Sequence, residues 1–94
     1  MAQEMMDLAT FCAHAMALCD EHECSVTSWR RTTRHNLAVG GKPTSKHLTG
    51  LGCDLVPDEM TQARRAGIVA SAHARGLAAL DEGDHVHIQV RSDP

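Results

Sequence analysis

Met5, Leu8, Phe11, Cys12, Ala15, Leu18 and Cys19 recur at intervals of three and four residues, and this stripe constrains the fold more than any other feature of the chain. A period of roughly 3.6 residues gathers them on one side of an amphipathic helix from about Ala2 to Asp20, and such a side has to pack against something else. Cys24 to Trp29 is rich in β-formers and predicts a short strand, and Gly50 to Val56 predicts a second, ended by Pro57. Leu77 to Leu80 and His85 to Val90 predict two more, separated by Asp81-Glu82-Gly83-Asp84, a hairpin turn signature. Asp58 is placed to cap a second helix from about Glu59 to Arg75, and Gly76 stands where a left-handed residue closes one. The polar stretch Arg30 to Asn36 leads into Val39-Gly40-Gly41-Lys42-Pro43, which reads as a loop. The expected fold is therefore α+β, a small antiparallel sheet packed against two helices, in a single domain over residues 1–94.

The core of that domain must be built from Ala, Leu, Val, Ile and Met, because the 94 residues include one Trp, one Phe and no Tyr. Surface scaling allows a chain of this size to bury roughly 64% of its extended surface, a thin core that a bound metal would help. Nine Lys and Arg against twelve Asp and Glu leave a net charge of −3, which lacks the positive field that binds nucleic acid without sequence preference. Glu4 and Asp7 stand where a signal peptide would carry Lys or Arg, and no stretch approaches the roughly 20 apolar residues of a membrane span. The expectation is a monomer made in a reducing cytoplasm, with neither nucleic acid nor membrane as partner. Cys12, Cys19, Cys24 and Cys53 show no C-x-x-C spacing and read as buried thiols.

Seven histidines are the compositional anomaly. His85 and His87 are two apart, so in a strand both project from one face, although an H-x-H on an exposed strand is polar and nothing more in most proteins. His47 and Asp54 are seven apart with Gly50 and Gly52 between them, which lets a loop carry His47 back over the strand that holds Asp54. With His87 as a third ligand, two imidazoles and a carboxylate with an open fourth place form the inventory of a catalytic zinc site. The plainer alternative is that the glycines serve a turn and His47 lies on the surface. His14 falls off the apolar stripe and reads as solvated, as do Arg64, Arg65 and His73 on the second helix. Asn36, Ser45 and Thr49 read either as partners of the metal histidines or as loop hydrogen bonders.

Ser28-Trp29-Arg30-Arg31, then Asn36, Val39-Gly40-Gly41, Ser45-x-His47-x-x-Gly50-x-x-x-Asp54 and Asp84-x-x-His87, in that order, resemble the M15 peptidases. These are the zinc D-alanyl-D-alanine carboxypeptidases, related phage endolysins and VanX-type dipeptidases, whose fold is shared with the hedgehog signalling domain. The match runs from about Ser25 to Gln89. The resemblance implies zinc (Zn2+) held by His47, Asp54 and His87, with Asp84 as general acid/base. It also implies Arg31 on the substrate carboxylate or the developing oxyanion, and His85 assisting at the transition state. The chain departs from the family pattern at Arg30, usually Tyr, at Gly52, often Ala, and at Val86, commonly Trp; these positions shape the pocket. Asp84 and His87 are three apart and would lie on opposite faces of a regular strand, so a turn at Gly83 is expected to re-aim Asp84.

The function implied is hydrolysis of a peptide bond in peptidoglycan stem peptides, by a protein that reaches the cell wall through phage lysis or non-classical release. A rival from another class is a zinc-holding binding or virion structural protein that keeps the fold without turnover. A third reading is a Cys/His structural zinc module, in which cysteine substitution would strip the metal.

Overall fold

A computed structural model of the protein describes residues 6–91. Helix α1 (Leu8–His22) starts at Asp7, whose side chain accepts the Thr10 N–H at 2.8 Å, and ends on Glu23, left-handed at φ 49° with its own N–H given to the Cys19 carbonyl. The stretch Ala2–Met5 of the expected helix lies outside the described residues. Of the stripe, Phe11, Ala15 and Leu18 are buried, Cys12 and Cys19 are half-buried, and Leu8 is exposed.

Four strands follow the expected order: β1 (Cys24–Ser28), β2 (Gly52–Pro57), β3 (Leu77–Asp81) and β4 (Val86–Val90). They form one antiparallel sheet in the spatial order β1-β2-β4-β3. Helix α1, together with a 13-residue helix between β2 and β3, covers one face. The core lies there, where the period of two sends Cys53 and Leu55 of β2, Leu77 of β3, and Val86, Ile88 and Val90 of β4 against Phe11, Leu18, Ile68 and Ala72. The α+β class thus holds.

Two of the elements differ from the sequence reading. Residues expected to be polar loop form a third helix, α2 (Thr33–Ala38), where Thr32 accepts the His35 N–H at 3.1 Å. The 13-residue helix, α3 (Gln62–Ala74), begins at Thr61, whose hydroxyl accepts the Arg64 N–H at 3.1 Å. Asp58, the expected cap, gives its own N–H to the Glu23 carbonyl at 2.8 Å and so prolongs the β1–β2 pairing beyond Cys24 and Pro57. Gly76 closes α3 as expected, at φ +80°. Arg64 and His73 are exposed, but Arg65 pairs with Asp81 at 2.8 Å and His14 is half-buried against Arg75 at 3.2 Å.

Phe11 is the one large ring in this core and is 1% exposed. Phe11→Ala should cost about 3–5 kcal/mol of unfolding free energy in urea. Leu37→Ala on α2, where the side chain is 79% exposed, should stay within roughly 0.5 kcal/mol of the parent.

Candidate metal centre

The face of the sheet opposite the core carries the chemistry. Asp54 on β2 stands directly across from His87 on β4, and the alternation that buries Cys53, Leu55, Val86 and Ile88 turns Asp54, His87 and Gln89 to this side. His47 comes from outside the sheet, on a 3-10 turn, Lys46–Leu48, capped by the Ser45 hydroxyl. The Arg31 N–H donates to the His47 carbonyl at 2.8 Å and the Leu51 N–H to the Lys46 carbonyl at 3.1 Å, which ties the turn down on both sides. Gly50, at φ +78°, reverses the chain after the turn. Gly52 lets the turn approach: a Cβ there would lie 2.8 Å from Lys46 Cβ and 3.3 Å from His87 Cε1. Glycine at this departure from the family pattern is therefore matched to close contact between turn and strand.

Three atoms converge. His47 Nε2 lies 3.2 Å and His87 Nδ1 3.1 Å from Asp54 Oδ1, and one ligand atom from each residue falls within 4.8 Å of the others. The two rings are 5.0 Å apart. His47 Nδ1 is 2.5 Å from the Trp29 carbonyl. A carbonyl can only accept, so the proton sits on Nδ1, and in the neutral ring Nε2 is a bare lone pair aimed at a carboxylate. Two acceptors stay 3.2 Å apart in a buried place only with positive charge between them, from a second proton or from a metal ion. Two imidazole nitrogens and a carboxylate oxygen opening onto a cleft are ligands of the kind zinc accepts. These residues could therefore hold the ion.

The electrostatics follow the same geometry. Burial works against the Asp54 carboxylate, but the His87 hydrogen bond and the charges of His47, His85 and His87 outweigh it and hold the group below the ordinary carboxylate range. The hydrogen bond that His87 gives to the Asp54 carboxylate raises the pKa of His87; burial opposes this and the contact with Gln89 adds to it. The cleft above these groups holds about 560 Å³ and is lined further by Arg31, Lys42, Lys46, Leu80, Glu82 and His85.

Arg31 reaches the cluster, with one guanidinium nitrogen 3.7 Å from Asp54 Oδ2 and another donating to Asn36 Oδ1 at 3.3 Å. Its Nε is buried without a partner. Asn36 braces Arg31 against the following loop, since its Nδ2 donates to the Lys42 carbonyl at 2.9 Å. A Cβ on Gly41 would stand only 2.0 Å from Asn36 Oδ1. Ser45 and Thr49 bond main-chain groups of the turn. His85 faces the cluster, its Nε2 3.8 Å from Asp54 Oδ1, and its Nδ1 lies 2.6 Å from Asp84 Oδ1. The Asp84 side chain is 87% exposed and the His85 side chain 31%. Gly83, at φ +92°, makes the turn, and the Asp84 carboxylate bonds His85 rather than the His47–Asp54–His87 group; it meets that group through His85. Sequence reasoning missed the Trp29 carbonyl, and it missed Gln89, whose signal was its place two residues beyond His87 on the same face.

No cysteine joins the cluster among the described residues. All four thiols are free, and burial pushes Cys24 and Cys53 up to about 12 each, so both stay protonated. No helix among the described residues is long and apolar enough to cross a membrane.

A family model described as Peptidase M15 matches residues 2–89 of the chain. No curated protein and no solved structure matches it.

In metal-free protein the two shifts have opposite pH signatures. The His87 contribution to stability is whole below the ordinary histidine value of 6.5 and is lost as pH rises through the raised one. The Asp54 contribution is whole above 3.8 and is lost as pH falls through the lowered value. With chelator present, the parent should therefore lose Tm as pH rises above the ordinary histidine value of 6.5, and His87→Asn should remove that part of the slope. An unchanged slope in the variant would show that the pair does not carry it.

Proposed function

The chain belongs to the peptidase M15 family, and from that premise we propose that it is a zinc-dependent hydrolase of peptidoglycan stem peptides, cutting as a D-Ala-D-Ala carboxypeptidase or as an endopeptidase. The observation that carries this reading is the convergence of His47 Nε2, Asp54 Oδ1 and His87 Nδ1 at the floor of an open cleft. Zinc held by these three would supply Lewis acidity, which activates water near neutral pH and polarises a scissile carbonyl.

The chain's own residues supply the rest. Asp84 accepts the Nδ1–H of His85, which fixes the tautomer and leaves Nε2 bare on the side of the cluster. His85 Nε2 is thus set to take a proton from the attacking water and return it to the leaving amine, with Asp84 stabilising the imidazolium between the two events. Arg31, Lys42 and Lys46 give the cleft three cationic side chains, suited to a peptide that carries carboxylates. Arg31 is the one placed beside the ligands, where its planar fork can take a terminal carboxylate or a developing oxyanion, and Asn36 holds it in that plane.

Digestion of defined muropeptides with and without chelator, followed by mass spectrometry for new amines, tests the activity. His47→Ala and Asp54→Ala should lose zinc and turnover together. Asp84→Ala and His85→Ala should keep zinc and lose roughly 10²–10⁴ in kcat. A parent that binds zinc but releases no product from any stem peptide would favour the non-catalytic zinc-holding alternative.

A further inference from the structure

Gln89 sits on the metal-facing side of β4, half-buried, with its Oε1 2.8 Å from His87 Nε2. Its cross-strand partners are Gly52 and Ala78, neither of which carries more than a methyl group. The amide is free to lie back along the strand toward the ring. His47 shows what such a contact does: the Trp29 carbonyl holds the proton on one nitrogen and leaves the other for the cluster. His87 turns the opposite nitrogen, Nδ1, toward Asp54; for Nδ1 to ligate an ion it must give up its proton, and the proton that stays on Nε2 then needs an acceptor.

We propose that Gln89 is a positioning residue of the metal centre: its amide oxygen accepts the Nε2–H of His87, selects the tautomer with a bare Nδ1, and fixes the ring plane so that Nδ1 points at the ion. The inference rests on the zinc-centre reading. A neutral imidazole divides its proton between two nitrogens, and only the unprotonated one can ligate, so an outer acceptor removes the unproductive tautomer and raises the basicity of the ligand atom. The partner of His47 is main chain and cannot be replaced by mutation, but the partner of His87 is a side chain. That makes the contribution measurable.

Zinc affinity is read by competition with a chromophoric chelator at fixed pH for the parent, Gln89→Leu and Gln89→Glu, with metal-free thermal unfolding as the folding control. Gln89→Leu, which keeps the bulk and loses the acceptor, should bind zinc about 10–100-fold more weakly at an unchanged metal-free Tm. Gln89→Glu, which keeps an acceptor, should bind at least as tightly as the parent. Nitrogen NMR of the zinc-loaded parent, which needs no variant to fold, should show the His87 proton on Nε2. A Gln89→Leu affinity within twofold of the parent, a Gln89→Glu loss as large as that of Gln89→Leu, or a His87 proton on Nδ1 in the loaded protein would each overturn the role of Gln89 while the zinc centre stands. A parent that takes up no zinc would overturn both.

Discussion

A β-strand turns successive side chains to opposite faces, and the whole molecule is organised around that alternation on β2 and β4. On one side it delivers Cys53, Leu55, Val86, Ile88 and Val90 to the helices; on the other it delivers Asp54, His87 and Gln89 to the cleft. The register that seals the core is the same register that sets Asp54 across from His87. A slip of one residue would turn Asp54 and His87 to the core and expose the core residues together, so stability and site geometry share one constraint. The rigidity that ligand atoms need is inherited from the packing beneath them.

The third member of the cluster obeys a different logic, because His47 belongs to no strand. Its turn is placed by main-chain hydrogen bonds from Arg31 and Leu51, by the Ser45 cap and by the Trp29 carbonyl on the ring. Trp29 also gives its indole N–H to the Gly50 carbonyl at 2.8 Å, so one residue fixes both the ring and the reversal after it. Gly52 then permits an approach that a side chain would block.

The parts of the site that were legible in the sequence are those where residue chemistry and periodicity coincide. His85 and His87 at a two-residue step, and Asp54 inside an apolar run, could be placed on a strand without coordinates. The Trp29 carbonyl has no side-chain signal at all, and a glutamine on the polar face of a strand looks like an ordinary surface residue until its distance to His87 is known. Helix α2 escaped because its six residues carry no apolar stripe and bury only Asn36. The start of α3 was misplaced because Asp58 and Thr61 are both capping residues, and the choice between them is made by Glu23, which takes the Asp58 N–H from far along the chain. The expected route for Asp84 failed for a related reason: a short carboxylate one residue before His85 finds the adjacent ring nitrogen before it reaches the ligands.

Between its anchored ends, Trp29 and Leu51, the segment joining β1 to β2 has little hydrophobic reason to stay in place. Leu37 and Val39 are exposed, and its buried side chains, Asn36 and His47, are both polar. Order there comes from hydrogen bonds, which contribute only about 0.5–1.5 kcal/mol each. At the centre of that network stand His47 Nε2 and Asp54 Oδ1, two acceptors that oppose each other unless a cation lies between them. On the zinc reading, binding the ion would relieve that opposition and tie the segment to the sheet through His47, so that part of the binding free energy appears as local folding. A domain with one large ring in its core has few other means of holding the twenty-three residues between Ser28 and Gly52 over the polar face of a four-stranded sheet.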